Sequence, residues 1–105
     1  MIKTFKTVNL DIENNIATIT LNRPESLNAM NRQLIDDVAQ AFDEANRDKH
    51  AKVIIFTGNG KAFCAGDDRN EHVHPESEAE ARDLVEAIQR ATDAIVFGEK
   101  LVVGA

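Results

Sequence analysis

The chain has 105 residues, enough for one small domain, and carries twelve basic against eighteen acidic side chains, a net charge of −6. That balance argues against a nucleic-acid or anionic-membrane surface, since both need a basic patch. The single cysteine, Cys64, excludes an internal disulfide and fits a reducing compartment. No signal-peptide core or membrane-length apolar run is present, so a cytoplasmic location is the expectation.

Residues 5–21 read as a β-hairpin. Val8, Leu10 and Ile12 alternate with Asn9 and Asp11, and Ala17, Ile19 and Leu21 alternate with Ile16, Thr18 and Thr20. Glu13-Asn14-Asn15 supplies the turn. Pro24 ends the second strand, because proline denies the ladder a donor. A helix should start near Asn28 or Asn31, both good caps, and end around 47–50. Its apolar face is Leu34, Ile35, Val38, Ala39, Phe42 and Ala45, with Asp36, Asp37, Gln40, Asp43 and Glu44 outside.

A β-branched apolar run over about 52–57 predicts a central strand covered on both faces. Gly58-Asn59-Gly60 is a tight-turn signal. Residues 69–75 form a polar connector, and Ser77 with Glu80 makes a capping box for a second helix. That helix has Ala81, Leu84, Val85, Ile88, Ala91, Ala94, Ile95 and Val96 at helical spacing, and Gly98 stops it. Residues 101–105 then begin another buried strand. The order β-β-α-β-loop-α-β predicts crossover units and a largely parallel sheet, with the sequence stopping in mid-fold.

Phosphate-loop patterns fail. Phe63 stands where a dinucleotide fingerprint after Gly58-Asn59-Gly60 needs glycine, and Ala62 follows Lys61 where a nucleotide loop needs Ser or Thr. Cys64 reads as a small buried hydrophobe. His72 and His74 read as solvated loop residues, and no Cys, His or carboxylate cluster has metal-ligand spacing, so no metal is expected. The turn Ala65-Gly66-Asp67-Asp68 is the feature that invites chemistry. Small residues let a ligand approach the main chain, and backbone N–H groups at a turn opening into a helix can hold an oxyanion. Asp67 could help there only through its backbone N–H, since its carboxylate would repel developing negative charge. Asp68, at the expected helix start, would cap the turn.

Two motifs about thirty residues apart carry a resemblance. Leu21-Asn22-Arg23-Pro24-Glu25-Ser26-Leu27-Asn28-Ala29-Met30-Asn31, and then Gly60-Lys61-Ala62-Phe63-Cys64-Ala65-Gly66-Asp67-Asp68 after a Val-Ile-Ile-Phe-Thr-Gly strand, resemble the enoyl-CoA hydratase/isomerase (crotonase) family over nearly the whole chain. The resemblance implies an α/β fold of repeated ββα units. Residues 1–105 would be its N-terminal portion, a β-hairpin and then α-β-α-β, incomplete. It also implies a homo-oligomer, a trimer or a dimer of trimers, acting on an acyl-CoA thioester as substrate with no separate cofactor. Ser26, Leu27, Asn28 and Ala29, with Ala65, Gly66, Asp67 and Asp68, would line the site for the CoA part. The Asp67 backbone N–H would be one donor of the oxyanion hole that stabilises a thioester enolate. Arg23 and Lys61 are candidate partners for CoA phosphates.

The chain departs from the family pattern at Asp67, where members more often have a small or apolar residue, and at Leu101, where they usually have proline. No glutamate matches the later acid and base of hydratases, and the second oxyanion donor would follow residue 105. The expectation is therefore a fragment of a hydratase or isomerase, inactive alone. Two alternatives stand beside it. One is a non-catalytic interaction domain like the anti-sigma-factor antagonist (STAS) group, which length, charge and element order suit, but against which stands the absence of an Asp-Ser-Gly turn after the central strand. The other is a short homologue that binds acyl-CoA, or self-assembles through its last strand, without catalysis.

Overall fold

The computed structural model describes residues 1–66, 68 and 75–105. The hairpin forms as its alternation dictates, with β2 at Val8–Glu13 and β3 at Ile16–Leu21. Asn14 and Asn15 both take positive φ, 52° and 68°, the backbone a two-residue loop needs to match the twist of its strands. Register places Val8 opposite Leu21, Leu10 opposite Ile19 and Ile12 opposite Ala17, so all six face one side and are buried. A three-residue strand that the sequence did not announce, β1 at Ile2–Thr4, adds antiparallel to β2. Its residues are all exposed, so it carries no apolar alternation to read.

The helix α1 covers Arg32–Arg47. The side chain of Asn31 caps it by accepting the Leu34 N–H at 2.9 Å. Leu34, Val38, Ala41, Phe42 and Ala45 close onto the buried face of the sheet and make the core with it. Phe42 is fully buried and meets the Phe56 ring edge-on at 5.0 Å. Burying such a side chain contributes about 1.5–3 kcal/mol. Asp37 was expected on the wet face but is buried. Its carboxylate accepts the Thr7 N–H, the Thr7 hydroxyl and the Gln33 amide at 2.7–2.9 Å, tying α1 to the loop before β2.

The central strand β4 spans Val53–Gly58 and pairs parallel with β3; the last strand, β5, Leu101–Gly104, pairs parallel with β4. The five-stranded sheet thus runs β1-β2-β3-β4-β5, with antiparallel pairs on one side and parallel pairs on the other. This corrects the largely parallel sheet expected from element order: tight turns reverse the chain between β1, β2 and β3, and only the two helical crossovers bring it back to run parallel. Coverage is also less than the apolar runs suggested. In β4 only Ile54 is buried, and in the edge strand β5 Leu101 is 70% and Val103 45% exposed.

The second helix, α2, covers Glu78–Val96 and is capped by Ser77, whose side chain accepts the Glu80 N–H at 3.1 Å. Glu80 reaches back to the N–H of Glu76. The helix packs on α1, and Arg32 of α1 pairs with Asp83 of α2 at 2.9 Å. Among its described residues only Ala87 is buried, whereas Val85, Ile88 and Val96, all on the expected apolar face, are exposed. Among the described residues no helix is long and apolar enough to cross a membrane.

Candidate functional site

Beyond β3 the chain makes a single 3₁₀ turn at Pro24–Ser26 and then two successive residues with positive φ, Leu27 at 52° and Asn28 at 57°. Left-handed backbone is unfavourable for leucine, and such conformations persist only where surrounding contacts enforce them. Here the enforcing contacts are visible. Asn28 is fully buried; its Oδ1 accepts the Arg23 N–H at 2.7 Å, and its Nδ2 donates to the carbonyls of Asn59 and Ala62 at 2.9 and 2.8 Å. One amide therefore joins the turn after β3 to the turn after β4. Gly58, at the end of β4, lets that second turn fold back: a Cβ there would lie 2.5 Å from the Phe63 carbonyl oxygen.

Three backbone hydrogen bonds then zip the two motif segments together. Ala65 N–H donates to Leu27 O at 3.0 Å, Met30 N–H to Gly66 O at 2.7 Å, and Asp68 N–H to Met30 O at 2.8 Å. Gly66 has φ 105°, a conformation that side chains rarely adopt, with open space where a Cβ would be. The seam is locked by a buried ion pair, Arg23 to Asp68 at 2.9 Å. The same guanidinium donates to the carbonyl of Ala29.

The structure thus brings together Ser26, Leu27, Asn28, Ala29, Ala65, Gly66 and Asp68, residues that stand up to 42 positions apart in the sequence. Leu27 and Ala65 are exposed on the seam, Ser26 and Gly66 half-buried, and Asn28, Ala29 and Asp68 lie behind it. Asp67 lies outside the described residues, as do His72 and His74. The next helix described after Asp68, α2, begins ten residues on, and the Asp68 carboxylate pairs with Arg23; the residues that Asp68 was expected to cap lie outside those described. Arg23 is correspondingly buried, which removes it as a surface partner for phosphate, while Lys61 remains exposed.

Beside the seam lies an apolar cleft of about 250 Å³ between the sheet, α1 and α2. Met30, Phe63 and Cys64 form its wall next to the seam; Leu34 and Val38 come from α1, and Ile88 and Ile95 from α2. Phe63 stacks edge-on against Phe56 at 5.0 Å. Cys64 is half-buried in this wall, packed against the core as a small hydrophobe but not sealed within it. The described lining contains no carboxylate and no imidazole; apart from Cys64 and Thr92 it is hydrocarbon and aromatic, so it favours an apolar guest. Among the described residues no group of three His, Cys, Asp or Glu side chains could hold a metal. The cleft and the Arg23–Asp68 pair are what the sequence reading missed. Phe63 and Cys64 stood inside a motif already singled out, whereas nothing local links residue 23 to residue 68.

The family model for enoyl-CoA hydratase/isomerase matches residues 11–105. The protein named Probable enoyl-CoA hydratase 1, peroxisomal, from Arabidopsis thaliana is 49% identical over 53 residues, half of this chain and 20% of that protein. The 1,2-epoxyphenylacetyl-CoA isomerase of Escherichia coli (strain K12) is 33% identical over 85 residues, 81% of this chain and 32% of that protein. A crystal structure of an enoyl-CoA hydratase/carnithine racemase from Magnetospirillum magneticum superposes with a TM-score of 0.87 at 30% identity, covering 96% of this chain and 39% of the other. This chain therefore spans well under half the length of each of these relatives. The matches do not favour a STAS-like interaction domain. With a family model covering residues 11–105 and a superposition over nearly its whole length, this chain belongs to the enoyl-CoA hydratase/isomerase (crotonase) family.

Proposed function

We propose that this chain binds an acyl-CoA thioester across the seam between residues 26–30 and 65–68, and contributes that binding to an enoyl-CoA hydratase or isomerase reaction. The observation that carries the reading is the pairing of the two motif segments by three backbone hydrogen bonds beside an apolar cleft. The seam offers exposed main chain at Leu27 and Ala65 for the polar pantetheine part of the ligand, and the cleft behind Phe63 and Cys64 takes the acyl chain. The thioester carbonyl then lies where the two meet, next to Gly66.

In hydration, the water oxygen bonds to Cβ of the enoyl group while one water proton passes to a base from outside the described residues, and the C=C π electron pair moves onto the thioester oxygen. The resulting enolate takes a proton at Cα. In isomerisation, a base from outside the described residues takes a proton from Cγ, the C–H electron pair moves onto the thioester oxygen as a dienolate, and a proton returned to Cα leaves the double bond shifted. Either route needs N–H donors aimed at the thioester oxygen, and the backbone N–H of Asp67 is the donor we assign to this chain. Losing one such donor typically costs about 3 kcal/mol of barrier lowering. The described lining of the cleft holds no carboxylate or imidazole, so the role assigned here is binding and polarisation of the carbonyl.

Titration calorimetry with free CoA and with butyryl-, hexanoyl- and octanoyl-CoA tests the reading. Each methylene that enters the cleft should tighten binding about fourfold, from roughly 0.8 kcal/mol per buried CH₂. An affinity for octanoyl-CoA no better than that for free CoA would remove the cleft from the ligand site, and no binding of any thioester would refute the proposal.

A further inference from the structure

We infer that the buried Arg23–Asp68 ion pair is a positioning device for the ligand seam rather than a source of stability, an inference that rests on the acyl-CoA reading above. The two side chains lie 2.9 Å apart and are only 10% and 6% exposed. Removing two charges from water offsets most of what their attraction returns, so well-packed apolar residues of similar size often serve stability as well or better. What apolar residues cannot do is fix a register, and register is what this pair spans. On one side Arg23 holds the first segment: its N–H donates to Asn28, its carbonyl accepts the Asn28 N–H at 2.8 Å, and its guanidinium reaches Ala29 O and Ser26 Oγ. On the other side Asp68 holds the second segment, its own N–H donating to Met30 O.

The ion pair therefore ties the far end of the second segment to the start of the first. Gly66 and Asp68, the two described residues that flank position 67 in the chain, are each hydrogen-bonded to Met30, and the Arg23–Asp68 pair sets how deeply that contact is seated. A shift of one hydrogen-bond position along the seam would move the Ala65–Gly66 main chain relative to the cleft while leaving the core untouched. Neither residue touches the ligand in this reading; each acts through the segment it holds.

The test is the double variant R23M/D68L, with R23K as its companion, because lysine keeps the charge but lacks the fork that reaches Ala29 and Ser26 together. Amide hydrogen exchange is followed at Ala65 and Asp68, with amides of β3 as the internal reference, and octanoyl-CoA affinity is measured alongside. The expected result for the double variant is an unfolding midpoint near that of the parent, exchange at Ala65 and Asp68 at least tenfold faster with β3 unchanged, and affinity at least tenfold weaker. R23K should show the same pattern at smaller amplitude.

A folded double variant with unchanged exchange and affinity overturns the inference. If the double variant does not fold, R23K decides: unchanged seam exchange in R23K overturns the inference, and selective loss at Ala65 and Asp68 supports it. If the parent chain binds no acyl-CoA, the functional reading fails on its own, and the exchange data still decide whether the pair positions the seam.

Discussion

Asn28 lends itself to the sharpest stability prediction, because its side chain is fully buried and every polar atom of it has an identified partner. In Asn28→Ala the buried Arg23 N–H loses its acceptor, which costs about 1–3 kcal/mol. The carbonyls of Asn59 and Ala62 lose a donor each, and being partly reached by solvent they add about 1–2 kcal/mol together. Alanine also tolerates φ 57° less well than asparagine, at roughly 0.5–1 kcal/mol. The total is about 2.5–6 kcal/mol, against a typical domain stability of about 5–15 kcal/mol. Urea titration followed by far-ultraviolet circular dichroism should show the midpoint falling by about 2 M or more at unchanged slope. Asn28→Gly separates the two causes: glycine adopts the positive φ freely, so it should recover the backbone part and leave the side-chain loss. A fall of less than about 1 kcal/mol in Asn28→Ala would refute the claim that this amide joins the two turns, and Gly no better than Ala would refute the backbone part.

Gly58→Ala should be destabilising by about 1–3 kcal/mol, because the new Cβ would meet backbone atoms of Ala62 and Phe63 at 2.5–2.7 Å and backbone cannot rotate away as a side chain can. A change within about 0.5 kcal/mol by the same titration would mean that the turn relaxes without cost. Asp48, just past the end of α1, accepts the N–H groups of His50 and Ala51 at 2.8 and 3.0 Å, and these bonds hold its carboxyl below the ordinary value of 3.8. A carboxyl with a depressed folded value stabilises the fold above pH 3.8 and loses that contribution as pH falls through the folded value. The gap in melting temperature between the parent and Asp48→Ala should therefore be widest near pH 6 and narrow below pH 3.8, and a gap independent of pH would contradict the assignment.

Much of the local structure was legible because it depends on neighbours three or four residues away. Asn31 and Ser77 cap the helices they were expected to cap, and the alternation of Val8, Leu10 and Ile12 against Ala17, Ile19 and Leu21 fixed both the hairpin and its buried face. Asp37 misled for the same reason. Its place on the helix wheel is polar, but the loop at Thr7 folds over it and supplies three donors for its carboxylate together with Gln33. The exposure of Val85, Val96 and Leu101 was equally illegible, since an apolar stripe states what a surface favours and not whether anything covers it.

Local sequence specified the elements other than β1, the helix caps, the two glycine-bearing turns and the motif pair that carries the family resemblance. Tertiary structure alone decided what those motifs do to one another. It turned Asn28 inward to join two loops, buried Arg23 against Asp68, and left Leu27 and Ala65 exposed on one seam beside the apolar cleft. The physical reason is range. Helix caps and strand alternation are satisfied within a few residues of chain, whereas a buried charge or amide takes whichever partner the folded path brings within 3 Å, and that path is set by the packing of the whole core.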